Sequence, residues 1–111
     1  MKLLALCRAE EIREGSARGF VFGKGASRHE LVVVRHRGVV HVHVNSCPHQ
    51  GTPLETFPDK FLNEDGSLFV CSTHGARFRV EGGVCVSGPC EGKALAIVPC
   101  DVREGVVFVQ L

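Results

Sequence analysis

Two short mixed motifs constrain this chain most: Cys47-Pro48-His49 and Cys71-Ser72-Thr73-His74, with 21 residues between His49 and Cys71. Each motif sets one soft sulfur beside one borderline imidazole. Using all four side chains together requires a scaffold that brings two separate loops to one place. Zinc could take the four at tetrahedral geometry. Zinc spacings, however, commonly group the sulfurs together, as C-x2-C followed by H-x3-H. A two-iron cluster with both thiolates on one iron and both imidazoles on the other draws one of each from each loop. The mixed motifs favour the cluster and leave zinc as the alternative.

The rest of the chain supplies the scaffold. The runs GFVFG, ELVVVRH, GVVHVHVN, SLFVC, ARFRV, GVCVSG, KALAIVPCDV and GVVFVQL are rich in Val and Phe and bounded by Gly, Asn, Asp or Pro. Runs of this length and composition are strands. RHRG, VREG and the Glu81-Gly82-Gly83 stretch read as turns between them. Within GVVHVHVN, Val40, Val42 and Val44 share one strand face and His41 and His43 the other, which predicts solvent-facing histidines. One helical turn is expected, at residues 9–14 (AEEIRE). Many short strands joined by regular turns predict an all-β fold, a small antiparallel sandwich or barrel. Residues 50–67 differ: they are polar, carry Pro53 and Pro58 and lack strand alternation. They read as a long functional loop joining the two motifs.

Composition closes off other classes. The 111 residues suffice for one domain, read here as residues 1–111, which would bury roughly two-thirds of its unfolded surface. Thirteen basic and twelve acidic residues give a net charge of +1 without a basic stripe, so nucleic acid is not an expected partner. The apolar runs, such as residues 31–34, are only a few residues long, far too short to span a bilayer. The opening MKLLALCRAEEI has too short an apolar run for a signal peptide and meets acidic residues at once, so it reads as a first strand of a cytosolic protein. Six cysteines could form a disulfide framework only in an oxidising compartment, and two of them stand beside histidines, which favours metal.

CPHQGTPL and CSTHGARF, followed by the later Gly88-Pro89-Cys90, closely resemble the Rieske family, and the small single-domain Rieske ferredoxins most of all. The resemblance implies one 2Fe–2S cluster per chain, bound by loops at about residues 45–54 and 70–78. Cys47 and Cys71 would hold the inner iron, His49 and His74 the outer iron near solvent. Gly88, Pro89 and Cys90 match a proline-bearing loop that shields the cluster in that family. Replacing two thiolates by two neutral imidazoles favours the reduced state. The respiratory-complex subgroup carries an additional Cys in each loop, where Thr52 and Thr73 stand here. It also carries Ser and Tyr hydroxyls that bond the cluster or its ligand, where Ala76 and Phe78 stand here. Fewer such donors imply a potential near the low end of the Rieske range, roughly −150 mV. The insert of 21 residues is longer than in many ferredoxin-type members.

The resemblance implies a one-electron carrier, a monomer with a reductase as donor and an oxygenase or other oxidoreductase as acceptor. It implies no substrate-turnover site of the chain's own. Two other readings compete: the small subunit of a larger reductase resembling NADH-dependent nitrite reductase, and a zinc-binding structural module. Cys7, Cys85, Cys90 and Cys100 read as small buried hydrophobes. A Cys85–Cys90 bridge fits their sequence separation, with no other support in the sequence.

Overall fold

The computed structural model describes residues 3–48, 53–54, 60–71 and 75–111. Nine strands run through them: β1 (Leu3–Arg8), β2 (Ala17–Phe22), β3 (His29–His36), β4 (Val39–Val44), β5 (Leu68–Val70), β6 (Arg77–Arg79), β7 (Cys85–Ser87), β8 (Cys100–Arg103) and β9 (Val106–Gln110). They form three antiparallel three-stranded sheets, in the orders β1-β9-β8, β2-β3-β4 and β5-β6-β7. The all-β architecture is as expected. The expected helical turn is a 3-10 turn at Ala9–Glu11, a second 3-10 turn lies at Gly25–Ser27, and no helix among the described residues is long and apolar enough to cross a membrane.

β3 organises the packing. Leu31 and Val33 point to one core with Ile12, Val42, Val98, Val107 and Val109. Val32 and Val34 point to the other, with Leu54, Phe61, Phe69, Phe78, Val80 and Leu95. An unbroken apolar run marks a strand covered on both faces, and LVVV is such a run. The middle sheet is therefore a shared wall, with the β1-β9-β8 sheet on one side and the β5-β6-β7 sheet on the other.

Two tight turns fix the register. Arg37 and Gly38 between β3 and β4, and Glu104 and Gly105 between β8 and β9, all have positive φ. Paired positive φ values make the two-residue turn whose twist matches its strands. Glu14 holds the first turn, its carboxylate accepting from the Arg37 and Gly38 amides at 2.8 and 2.7 Å.

Two sequence expectations need correction. KALAIVPCDV is not one strand, because β8 starts only at Cys100. Residues 93–99 instead tie two sheets together. Lys93 accepts from the Cys85 amide and Leu95 donates to Gly83, while Ala96 accepts from Val44 and Val98 donates to Val42. Leu95 fills one core and Val98 the other, a division of labour that one regular strand in one sheet would not provide. The polar insert also contains structure at its described end. Leu62 bridges Phe69, and Phe61 accepts from Val70, so residues 61–70 fold back as a hairpin. Burial of Phe61 drives it, and the Asn63 side chain holds the turn by accepting from the Ser67 and Leu68 amides at 3.1 Å.

Candidate metal centre

Cys47 and Cys71 are both fully buried, and both line the core facing β5, β6 and β7. Cys47 follows the end of β4. Just before it, the buried Asn45 accepts the Leu54 amide on its side-chain oxygen at 2.8 Å. That bond ties together residues 45 and 54, the described ends of the first loop. Asn45 was missed in the sequence, although an Asn that ends a strand two residues before a ligand-type Cys is a signal for such a clamp.

Cys71 follows β5. Its amide donates to Ala76 at 2.8 Å, and its carbonyl accepts from Gly75 at 2.7 Å. These bonds close the second loop over residues 71–76. Ala76 and Phe78 are buried in the same cluster as both cysteines. A third loop presses on the second. A Cβ built on Gly88, which has φ +99°, would lie 2.7 Å from the Ala76 Cα, so glycine permits the approach. His49, His74, Thr52 and Thr73 lie outside the described residues.

Cys85 and Cys90 join this site from the third loop. Their sulfurs are 3.5 Å apart, and Cys85 donates to the Ser87 carbonyl at 3.2 Å. Burial, then the Cys85 and Cys47 sulfurs beside it, push the Cys90 thiol up to about 12, so it stays protonated near neutrality. Cys90 thus packs against a candidate ligand. Among the described residues, no group of three or more His, Cys, Asp or Glu side chains is placed to hold a metal ion. Cys85 and Cys90 therefore do not complete a site with Cys47 and Cys71.

Cys7 and Cys100 are half-buried against the other core, where burial raises both thiols. His43 departs from expectation. It is 1% exposed, and its Nε2 lies 2.9 Å from the Val80 carbonyl. Its ring meets Phe69 edge-on at 5.3 Å. Alternation along β4 places it opposite Val42 correctly, but that second face is covered by the β5-β6-β7 sheet.

Comparison with known proteins fits this geometry. The sequence matches the Rieske [2Fe-2S] domain over residues 2–103, and the chain belongs to that family. It is 35% identical over 104 residues to the ferredoxin component of the alkene monooxygenase system of Xanthobacter autotrophicus, across 94% of this chain and 77% of that protein. Among solved structures, it resembles a chain in the complex of reduced oxygenase and oxidized ferredoxin in carbazole 1,9a-dioxygenase. That match has 26% identity and a TM-score of 0.75, over 96% of this chain and 91% of the other. The Sphingomonas yanoikuyae B1 ferredoxin shares the fold at 22% identity and a TM-score of 0.75, over 99% of both chains. The ferredoxin of carbazole 1,9a-dioxygenase from Nocardioides aromaticivorans shares it at 19% identity and 0.74, over 98% of this chain and 97% of that one.

Membership of the family implies one 2Fe–2S cluster per chain. The described residues fit that group. Two thiols buried in one core suit the inner iron, because a thiolate kept from water needs a cation beside it.

Proposed function

We propose that the chain is a one-electron carrier in which Cys47, His49, Cys71 and His74 hold the cluster, accepting from a reductase and delivering to an oxygenase. The burial in one core of Cys47 and Cys71, which open the two Cys/His motifs, carries this reading. Cys47 and Cys71 would bind the inner iron as thiolates, and His49 and His74 the outer iron as neutral imidazoles. When bound, the group supplies a one-electron couple whose potential lies above that of all-thiolate clusters. The protein's own part is to exclude water from the sulfur side and to hold the two loops in register. Asn45 does this for the first loop and the Cys71–Ala76 backbone bonds for the second. The names of the relatives, ferredoxins of oxygenase systems, support the choice of acceptor class. The four cysteines outside the ligand set, Cys7, Cys85, Cys90 and Cys100, are unbridged thiols, which supports a reducing compartment, the cytosol.

The test is direct. Reduced protein is mixed anaerobically with oxidised candidate oxygenases, and reoxidation is followed in the visible. With no Trp or Tyr in the chain, the near-ultraviolet absorbance of the isolated protein also reports mainly the cluster. Cys47→Ser and Cys71→Ser are each expected to lose most iron and sulfide, since a neutral hydroxyl replaces a thiolate. Full iron content in either variant would remove that cysteine from the ligand set, and no electron transfer to any oxygenase would sink the carrier role.

A further inference from the structure

The third loop carries two thiols that the electron-carrier reading leaves without a task. Cys85 opens β7 and Cys90 lies beyond the Gly88-Pro89 turn, yet their sulfurs stand 3.5 Å apart. Backbone bonds enforce this approach: the Cys85 amide donates to Lys93 at 2.8 Å, and the Lys93 amide donates to Cys90 at 2.9 Å. Two further bonds of the turn are long, Glu91 to Gly88 at 3.3 Å and Gly92 to Cys85 at 3.5 Å. Residues 86–89 and 91–94 are exposed, so Cys90 is a single buried residue under an exposed turn. The bonds that cover Cys90 from solvent thus include the two long ones of this turn.

We propose that Cys85 and Cys90 are a redox pair, a dithiol that hydrogen peroxide converts reversibly into a disulfide across the third loop. The Cys85 sulfur attacks a peroxide oxygen, which breaks the O–O bond, gives a sulfenic acid at Cys85 and, with the Cys85 proton, releases the first water. The other sulfur displaces the sulfenic hydroxyl as the second water. Both S–H bonds are broken and one S–S bond forms, and the pair's two electrons and two protons end in the two waters. Closing the gap from 3.5 Å to the ~2.05 Å of the bond takes side-chain rotation and a small shift of an already loose turn. The bond would lock the loop that Gly88 presses onto Ala76 beside Cys71. If the chain feeds an oxygenase, as proposed above, it works beside a source of partly reduced oxygen. The pair itself needs only the geometry.

Tryptic cleavage after Arg79 and Lys93 isolates residues 80–93, which contain only these two cysteines. Cluster-loaded protein is treated with graded hydrogen peroxide, alkylated in denaturant and digested, with visible absorption followed throughout. The expected result is a peptide lighter by two hydrogens and unalkylated, formed while the visible absorption persists. Dithiothreitol should restore two alkylation sites. Cys85→Ser should abolish the mass loss and leave Cys90 alkylated or over-oxidised. The pair is overturned if both thiols stay alkylated under peroxide that has already oxidised the more exposed Cys7 or Cys100. It is also overturned if Cys90 is found bonded to Cys47 after the visible absorption has gone. Failure of electron transfer by the dithiol form, in a protein that does form the crosslink under peroxide, would count against the carrier role alone.

Discussion

Inside the protein, His43 is a neutral base with one satisfied nitrogen. The Val80 carbonyl can only accept, so Nε2 carries the proton, and the buried Nδ1 has no hydrogen-bond partner among the described residues. Burial lowers its pKa, and His41 adds to this against the opposing Val80 bond. The folded pKa lies below the ordinary 6.5, so unfolding takes up a proton as the pH falls past that value. The stability contributed by neutral His43 is complete above about pH 6.5 and is lost progressively below it. Between pH 7.5 and 5.5 the loss should reach up to about 1.4 kcal/mol. Urea titrations at both pH values should show it, and His43→Gln should flatten the difference while lowering stability at both. A second expectation concerns Ala76 and Phe78, buried in one cluster with Cys47 and Cys71. Ala76→Ser with Phe78→Tyr places two hydroxyls there. If each stabilises the reduced state by about 1 kcal/mol, the midpoint rises roughly 40 mV per donor at 59 mV per tenfold. Dye-mediated titration should give a rise on the order of 50–100 mV for the double variant. An unchanged midpoint with a full cluster would mean that neither side chain faces the sulfur.

At the scale of elements, the site is three loops on a meander. Asn45 closes the first, the Cys71–Ala76 bonds close the second, and the contact of Gly88 with Ala76 joins the third to the second. Gly88→Ala should break that contact twice over. Its φ of +99° is unfavourable for an L side chain, and the new Cβ would sit 2.7 Å from the Ala76 Cα. The cost should be about 2 kcal/mol or more. The signature is lower urea stability together with faster cluster loss under chelator. A variant with native stability and retention would mean that the third loop does not brace the second. This contact could not be read from GPC alone, because glycine after a strand is compatible with any turn. The 61–70 hairpin was closer to legible. NEDGS between FL and LF is a turn between apolar pairs, but the polar insert around it obscured the pattern.

For the molecule as a whole, two cores share β3 and only one of them contains candidate ligands. Removing the cluster should therefore loosen the protein unevenly. The expected loss of Tm is about 10 °C or more, since binding energy at such a site is also folding energy. Hydrogen exchange should quicken around Cys47, Cys71 and Ala76, while amides of the β1-β9 ladder keep most of their protection. Uniform loss across all three sheets would show instead that the two cores unfold as one unit.

The sequence alone determined the strand-and-turn grammar, the two Cys/His motifs and, through them, the family. Each is a local property: β-branched runs, glycine at fixed turn positions, and ligand types at short spacing. The LVVV run even held the plan of two cores, because a strand without polar alternation needs cover on both sides. Only the tertiary structure decided what supplied that cover. β4 alternates Val and His as a half-exposed strand would, yet a carbonyl 37 residues away in sequence meets His43 and buries it. In the same way Asn45 became a clamp when Leu54 came within 2.8 Å, and Cys85 and Cys90 became neighbours when the third loop closed on Lys93. Periodicity reports the environment of one segment at a time. Burial and sulfur–sulfur approach depend on segments that meet only when the chain has folded.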